Sequence, residues 1–216
     1  MYLEWAPPVA LRERIVCLWR SAADVGETSL VVPDACVDLI WSPHGPQVAG
    51  PDTGPFRVRL RPGDVYRGIR FRPGAVGGVL GVPIAELRDR RVPFADLGLP
   101  EDLTLDQLAT RLRATPTPDP AASAMAEALR LGSSVREVAW ELGVSERHLH
   151  RRCVAGFGYS PKTLQRIVRF QRALRLARRG MALAEVAAVS GYADQAHLSN
   201  DVKRLSGVPM GKLIRP

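Results

Sequence analysis

The spacing of apolar positions changes character near residue 115. Before it, short apolar runs at Ser29 to Pro33, Cys36 to Trp41, Phe56 to Leu60 and Val65 to Phe71 are interrupted by Pro, Gly and Asp, the punctuation of strands joined by turns. In one run Val58 and Leu60 alternate with Arg57, Arg59 and Arg61, as in a strand with one solvated face. Helical spacing shows at Ile84 to Arg88 and Leu105 to Leu112, so an α+β, β-rich first half is expected. After it, the apolar period is helical throughout.

The boundary is Thr115-Pro116-Thr117-Pro118-Asp119-Pro120, whose alternate prolines forbid helix and favour an extended spacer. The expected organisation is therefore a domain at 1–114, a linker at 115–120 and a helical domain at 121–216. In that last part, Ala121 to Leu131 is amphipathic and ends at Gly132, and Ser134-Val135-Arg136-Glu137 has the form of a capping box.

The helical half repeats itself. Val135 to Val144 recurs as Leu183 to Tyr192 at an offset of 48, and Leu149, Cys153 and Gly158 match Leu198, Val202 and Gly207 at an offset of 49. Each copy offers a short helix with a small inward residue, Ala139 or Ala187, then a glycine, Gly143 or Gly191, that can turn sharply, then a second helix capped by Ser145 or Asp194. That is the composition of a helix-turn-helix. Between the copies, Ser160-Pro161 starts a helix whose apolar face runs through Leu164, Ile167, Val168, Gln171, Leu174 and Ala177 to Gly180. From Pro161 to Arg179 it would span about 28 Å, close to the roughly 34 Å between successive major grooves on one side of B-DNA.

Charge agrees with this reading. Residues 1–114 hold 14 Arg, no Lys and 14 acidic residues; of the chain's 30 basic and 22 acidic residues, 16 and 8 remain for the rest, so the whole net +8 sits in the C-terminal half. That half calls for a polyanion. No run of about 18 apolar residues is present to span a bilayer, and Met1 to Pro8 lacks the basic start of a signal peptide; a cytoplasmic protein without membrane partners is expected. Cys17, Cys36 and Cys153 have neither disulfide nor zinc spacing, and no cofactor, metal or catalytic set is expected.

These repeats and the connector, with Arg166-Ile167-Val168-Arg169-Phe170 and Gly191-Tyr192-Ala193-Asp194-Gln195 in order, resemble the AraC/XylS class of transcription regulators. The resemblance implies two helix-turn-helix units joined by a long helix, with the second helix of each in a major groove of double-stranded DNA. It puts base-reading roles on Arg147, His150 and Arg151 in the first unit, and on Gln195, Ala196, His197 and Asn200 in the second. Arg suits guanine, Gln and Asn suit adenine, and Ala196 could touch only a thymine methyl. Arg152, Lys203 and Arg204 suit phosphates. RNA polymerase is a further partner that the family implies. Asn200 stands where the family often has Arg, and Met210 stands where the first repeat has Pro161.

Pro33 to Trp41, Arg70 to Gly74 and Leu87 to Asp89 resemble a domain of unassigned role found ahead of such modules, implying a sensing domain with a small-molecule effector, a homodimerising one, or both. Asp38, Trp41 and Arg70 are the candidate effector residues; Trp19, Trp41 and Phe71 are alternatively core. Two other readings stay open. A thiol-responsive regulator would use Cys17 and Cys36, against the plain reading of both as small buried hydrophobes. A cupin-like enzyme domain would need several imidazoles, and residues 1–114 contain only His44.

Overall fold

The computed structural model describes residues 1–214. Eight strands come first: β1 (Tyr2–Trp5), β2 (Ile15–Ala22), β3 (Glu27–Val31), β4 (Asp38–Ser42), β5 (Gly45–Ala49), β6 (Phe56–Leu60), β7 (Val65–Phe71) and β8 (Arg91–Pro93). Eight helices follow: α1 (Leu105–Ala114), α2 (Ala121–Leu131), α3 (Val135–Glu141), α4 (Glu146–Phe157), α5 (Pro161–Arg178), α6 (Leu183–Val189), α7 (Gln195–Ser206) and α8 (Met210–Leu213). A β-rich half thus precedes a helical one.

Six strands form an antiparallel sheet in the order β1-β2-β7-β4-β5-β8, and β3 pairs with β6 in a separate two-stranded ribbon. Alternation of side chains gives the large sheet two faces. Leu39, Val48, Ile69 and Phe71 bury one face beneath 3₁₀ turns at Gly77–Leu80 and Ile84–Leu87 and beneath Leu108 and Leu112 of α1. The other face carries Cys17, Trp19 and Tyr66, which meet Leu60 of the ribbon. A register shift between Ile15 and Cys17 breaks the alternation in β2 and lets Ile15 join the first core while Cys17 joins the second.

Sequence spacing located the ribbon strand β6 and β7 to the residue but gave no sign of β1, β2, β5 or β8. The short β1, β5 and β8 carry too few alternations to register. Ile84–Leu87 proves to be a 3₁₀ turn, not α-helix: Pro83 precedes it, and the chain leaves the helical region at Arg88 (ψ 129°) before Asp89 takes a positive φ of 58°. Trp19 and Phe71 are core residues, with Phe71 fully enclosed.

In the helical half, α2 through α8 share one core that includes Met125, Leu149, Phe157, Leu164, Phe170, Leu198 and Leu205. The cap at Ser134 is a complete capping box with Glu137. The connector α5 has 18 residues, one fewer than expected, and is capped by Ser160, whose hydroxyl accepts from the Thr163 N–H. At about 1.5 Å per residue it measures about 27 Å.

Candidate nucleic-acid interface and ligand cavity

The repeat is preserved in the element bounds. Shifting α3 by 48 gives α6, and shifting α4 by 49 gives α7. Both turns use glycine at positive φ, 63° at Gly143 and 77° at Gly191, where an L side chain would be strained. They close through the same bond, Val144 N–H to Ala139 O and Tyr192 N–H to Ala187 O, each 2.9 Å. The extra residue of the second copy, Ala193, lies between that bond and the cap. Ser145 accepts from His148 N–H at 3.2 Å, and Asp194 accepts from His197 N–H at 2.7 Å; both helices end on glycines at positive φ, Gly158 and Gly207.

Leu149 and Cys153 bury one face of α4, and Leu198, Val202 and Leu205 bury one face of α7. The remaining faces are solvated: Arg147, His150 and Arg151 are exposed on α4, and Gln195, Ala196, His197 and Asn200 on α7. On α4 the residues at i, i+3 and i+4 stand together on one stripe. His197 is already engaged, its Nδ1 accepting from Ala193 N–H at 3.4 Å and its ring set edge-on against Tyr192. Lys203 and Arg204 are exposed in the last turn of α7.

Arg152 departs from expectation. Its guanidinium is held through two nitrogens by the Asp119 carboxylate of the proline-rich segment, and these hydrogen bonds hold the Asp119 carboxyl below the usual carboxylate range. In this arrangement Arg152 fixes the linker to α4 and is not free for a phosphate.

A residue that spacing did not single out organises the second unit. Asp201, buried on α7, lies 3.4 Å from Arg169 and 3.6 Å from Arg166 of α5, and accepts from the Tyr192 hydroxyl at 3.1 Å. The Arg169 guanidinium also sits 4.2 Å over the Tyr192 ring. The available signal was an acid at a repeat position whose counterpart is Arg152.

The second site lies between the large sheet and the ribbon: a cavity of about 370 Å³ walled by Trp19, Tyr66, Ile40, Val58, Leu60 and Phe56, with Asp34, Asp38 and Arg70 at one end. Gly68 opposes Trp19 across the sheet, and a Cβ there would come within 2.2 Å of the indole. Glycine therefore lets the ring lie against the sheet and donate from Nε1 to Asp38 Oδ1 at 2.7 Å. Arg70 Nε lies 3.2 Å from Asp38, and the same guanidinium reaches Asp34 and Glu4 at 3.7 and 3.5 Å. Burial, reinforced by Asp34, pushes the Asp38 carboxyl up to about 6 against the opposing pull of Arg70.

Asp38 and Arg70 thus meet in the cavity, but Trp41 does not join them. It follows Asp38 by three residues on β4 and so faces the other side of the sheet, edge-on to Phe94, with its indole N–H donating to Glu101 O at 3.0 Å. Cys36 lines the cavity, whereas Cys17 and Cys153 are buried. Burial raises all three thiols, Cys17 to about 11 and Cys153 to about 12. Among the described residues no group of His, Cys, Asp and Glu could hold a metal ion, and no helix is long and apolar enough to cross a membrane.

The loops bordering the cavity touch the helical half at three places. Pro33 O accepts from Gln171 of α5 at 2.6 Å, and Ala35, at φ 65°, is buried in the helical core. Asp52 O accepts from the Tyr159 hydroxyl at 3.3 Å, and Arg88 donates to Gly158 O at 3.3 Å, both at the end of α4. A Cβ on Gly207, at the end of α7, would lie 3.5 Å from Pro55.

Two small helical pairs on either side of a connecting helix, each presenting a polar second helix, define a double helix-turn-helix DNA-binding protein. Residues 123–215 match the family described as "Helix-turn-helix domain", and residues 3–93 match a domain of unknown function (DUF6597). The C-terminal part of the chain is thus an AraC-type helix-turn-helix module, with a domain of unassigned role ahead of it. No curated protein matches the sequence. Among solved structures, apo ToxT of Vibrio cholerae, in a variant form, aligns at TM-score 0.50 and 13% identity over 92% of this chain and 96% of its own, a likeness of fold. ToxT of the same organism with unsaturated fatty acid bound aligns at 0.49 and 10% over 93% and 95%. The C-terminal domain of AraT, a response regulator from Geobacillus stearothermophilus, aligns at 0.41 and 23% over 45% and 85%.

Proposed function

We propose that this regulator seats α4 and α7 in successive major grooves on one side of a duplex. Arg147, His150 and Arg151 then read one groove, Gln195, Ala196, His197 and Asn200 read the next, and Lys203 and Arg204 rest on phosphates. The observation that carries the reading is that both second helices bury their apolar stripe in one core about α5 and leave these polar side chains exposed. The net charge of the half that holds them supplies the salt-dependent attraction to phosphate.

Residues 1–114 act as a regulatory domain, 115–120 as its tether and 121–216 as the DNA-binding domain. An effector in the cavity would change operator affinity if it favours one arrangement of the loops that touch α4, α5 and α7, since a ligand shifts an equilibrium only by its difference in affinity for the two states. Homodimerisation and contact with RNA polymerase are compatible with this reading. The thiol-responsive alternative has little support, because thiols raised by burial are scarce as the reactive thiolate. No catalytic role is assigned.

The test is selection from a random duplex library followed by footprinting. Two protected half-sites centred about one helical turn apart are expected. Recovery of no preferred sequence, or of a single half-site whose affinity is indifferent to Asn200→Ala, would overturn the two-groove reading.

A further inference from the structure

The charges beside the cavity do not balance around Arg70. Glu4, Asp34 and Asp38 all converge on the single guanidinium of Arg70. Other cations near the cavity are committed or turned away. Arg91 pairs with Asp52 at 2.7 Å and lies over the Phe56 ring. Arg57 and Arg59 also line the cavity from β6, but they are exposed and alternate with Val58 and Leu60, which meet Trp19 and Tyr66. Around Arg70, carboxylates therefore outnumber cations beside an aromatic wall.

That wall adds a second, independent preference. Trp19 and Tyr66 line the cavity, Tyr2 lies with its ring centroid 6.0 Å from that of Trp19, and Phe56 stands at the ribbon. Aromatic faces attract cations through their quadrupole. They repel nothing in an apolar body, so the alkyl or aryl part of a ligand is accommodated by the same surfaces. The volume, about 370 Å³, falls at the small end of the roughly 300–1,000 Å³ typical of small-molecule sites.

We propose that this cavity binds a small organic cation, a protonated amine on an aromatic or alkyl body, with the ammonium beside Asp38 and Asp34 and the body between Trp19 and the ribbon. A carboxylate or phosphate ligand would place its charge against two carboxylates that share one guanidinium and is disfavoured. The proposal names the effector class for the regulatory reading above and rests on it, although the binding event itself does not.

The test is calorimetric titration of the full chain at pH 7.5 with three probes of one shape: 3-phenylpropylamine, 3-phenylpropan-1-ol and 3-phenylpropanoate. The amine should bind at least about tenfold more tightly than either analogue, since burial strengthens a charge pair well beyond its value in water. Asp38→Asn and, separately, Asp34→Asn should erase most of that preference while leaving the alcohol unchanged. Asp34→Asn is the safer variant for folding, because an amide oxygen can still accept the Cys36 N–H that Asp34 now accepts at 2.9 Å.

Equal affinity for all three probes, tighter binding of the carboxylate, or binding of none overturns the assignment. Repeating the titrations with the selected duplex separates the two readings. An amine that binds without altering duplex affinity leaves the ligand class standing and removes the regulatory role. A carboxylate that binds and alters it does the reverse.

Discussion

The two helix-turn-helix units share bounds, turns and caps, yet they are fastened to different parts of the molecule, and one repeat position marks the difference. In the first unit it is Arg152, paired with Asp119 of the linker; in the second it is Asp201, paired with Arg166 and Arg169 of the connector. Opposite charges at equivalent positions tie α4 to the proline-rich segment and α7 to α5. Gly74 extends the first attachment, since a Cβ there would approach Ala122 within 2.8 Å and the Phe157 ring within 2.9 Å. A duplicated unit can thus keep one geometry toward DNA while its two copies answer to different neighbours.

The strongest way to break this arrangement is Asp201→Ala. It removes the counter-charge of two guanidiniums about a quarter exposed and the acceptor of the Tyr192 hydroxyl, so the cost lies at or below the range of about 3–5 kcal/mol typical of breaking a fully buried pair. Chemical unfolding should show a loss at or below that range, and footprints should lose the half-site read by α7 before the other. Equal loss of both half-sites would mean that α5 does not serve the second unit selectively.

Arg151→Ala sharpens the comparison from the DNA side. A lost bidentate contact to guanine is worth about 1–3 kcal/mol of discrimination, confined to the half-site of α4. Competition gel shifts with each half-site altered in turn should reveal it; the same loss on unrelated duplexes would deny Arg151 a base-reading role.

Asp119→Ala should detach the first unit from the linker at a cost of about 0.2–1 kcal/mol, as expected of a pair partly open to solvent. Because Arg152 holds the folded carboxyl below its unfolded value, near 3.9, the stabilisation is fully present above that value and is lost as pH falls through the folded one. Urea unfolding of wild type and variant should therefore differ by a constant amount from pH 6 to 8, with the gap beginning to shrink below about pH 4 and closing only as pH falls through the lower folded value. The same variant frees Arg152, so a rise in nonspecific duplex affinity at neutral pH should accompany it.

Lys203→Ala should have the smallest effect. Affinity should fall alike on all duplexes, and the slope of log affinity against log salt should drop by about one. A sequence-dependent loss would place Lys203 at a base edge instead.

Much of the helical half was legible because its signals are local. Capping residues, turn glycines and apolar positions at helical spacing all act within a turn or two of chain, so Ser134 with Glu137, Gly143 and Gly191, and the start of α5 at Pro161 could be read directly. The N-terminal half was less readable. β1, β2 and β8 are defined by partners distant in the chain and β5 is too short to show alternation, while strand alternation sends Trp41 and Asp38 to opposite faces. Applied strictly, that alternation would have separated them.

Helix periodicity, caps and a charge count require no knowledge of distant contacts, and they sufficed to establish that the C-terminal half contains a duplicated helical pair about a connector and carries the excess positive charge. Folding was needed to pair Arg152 with Asp119 of the proline-rich segment, to bind the second unit to α5 through Asp201, and to crowd Glu4, Asp34 and Asp38 around a single arginine beside an aromatic cavity. These are pairings between segments up to 66 residues apart, as Glu4 and Arg70 are, and charge pairing across such distances is settled by which faces the folded sheet and helices bring together.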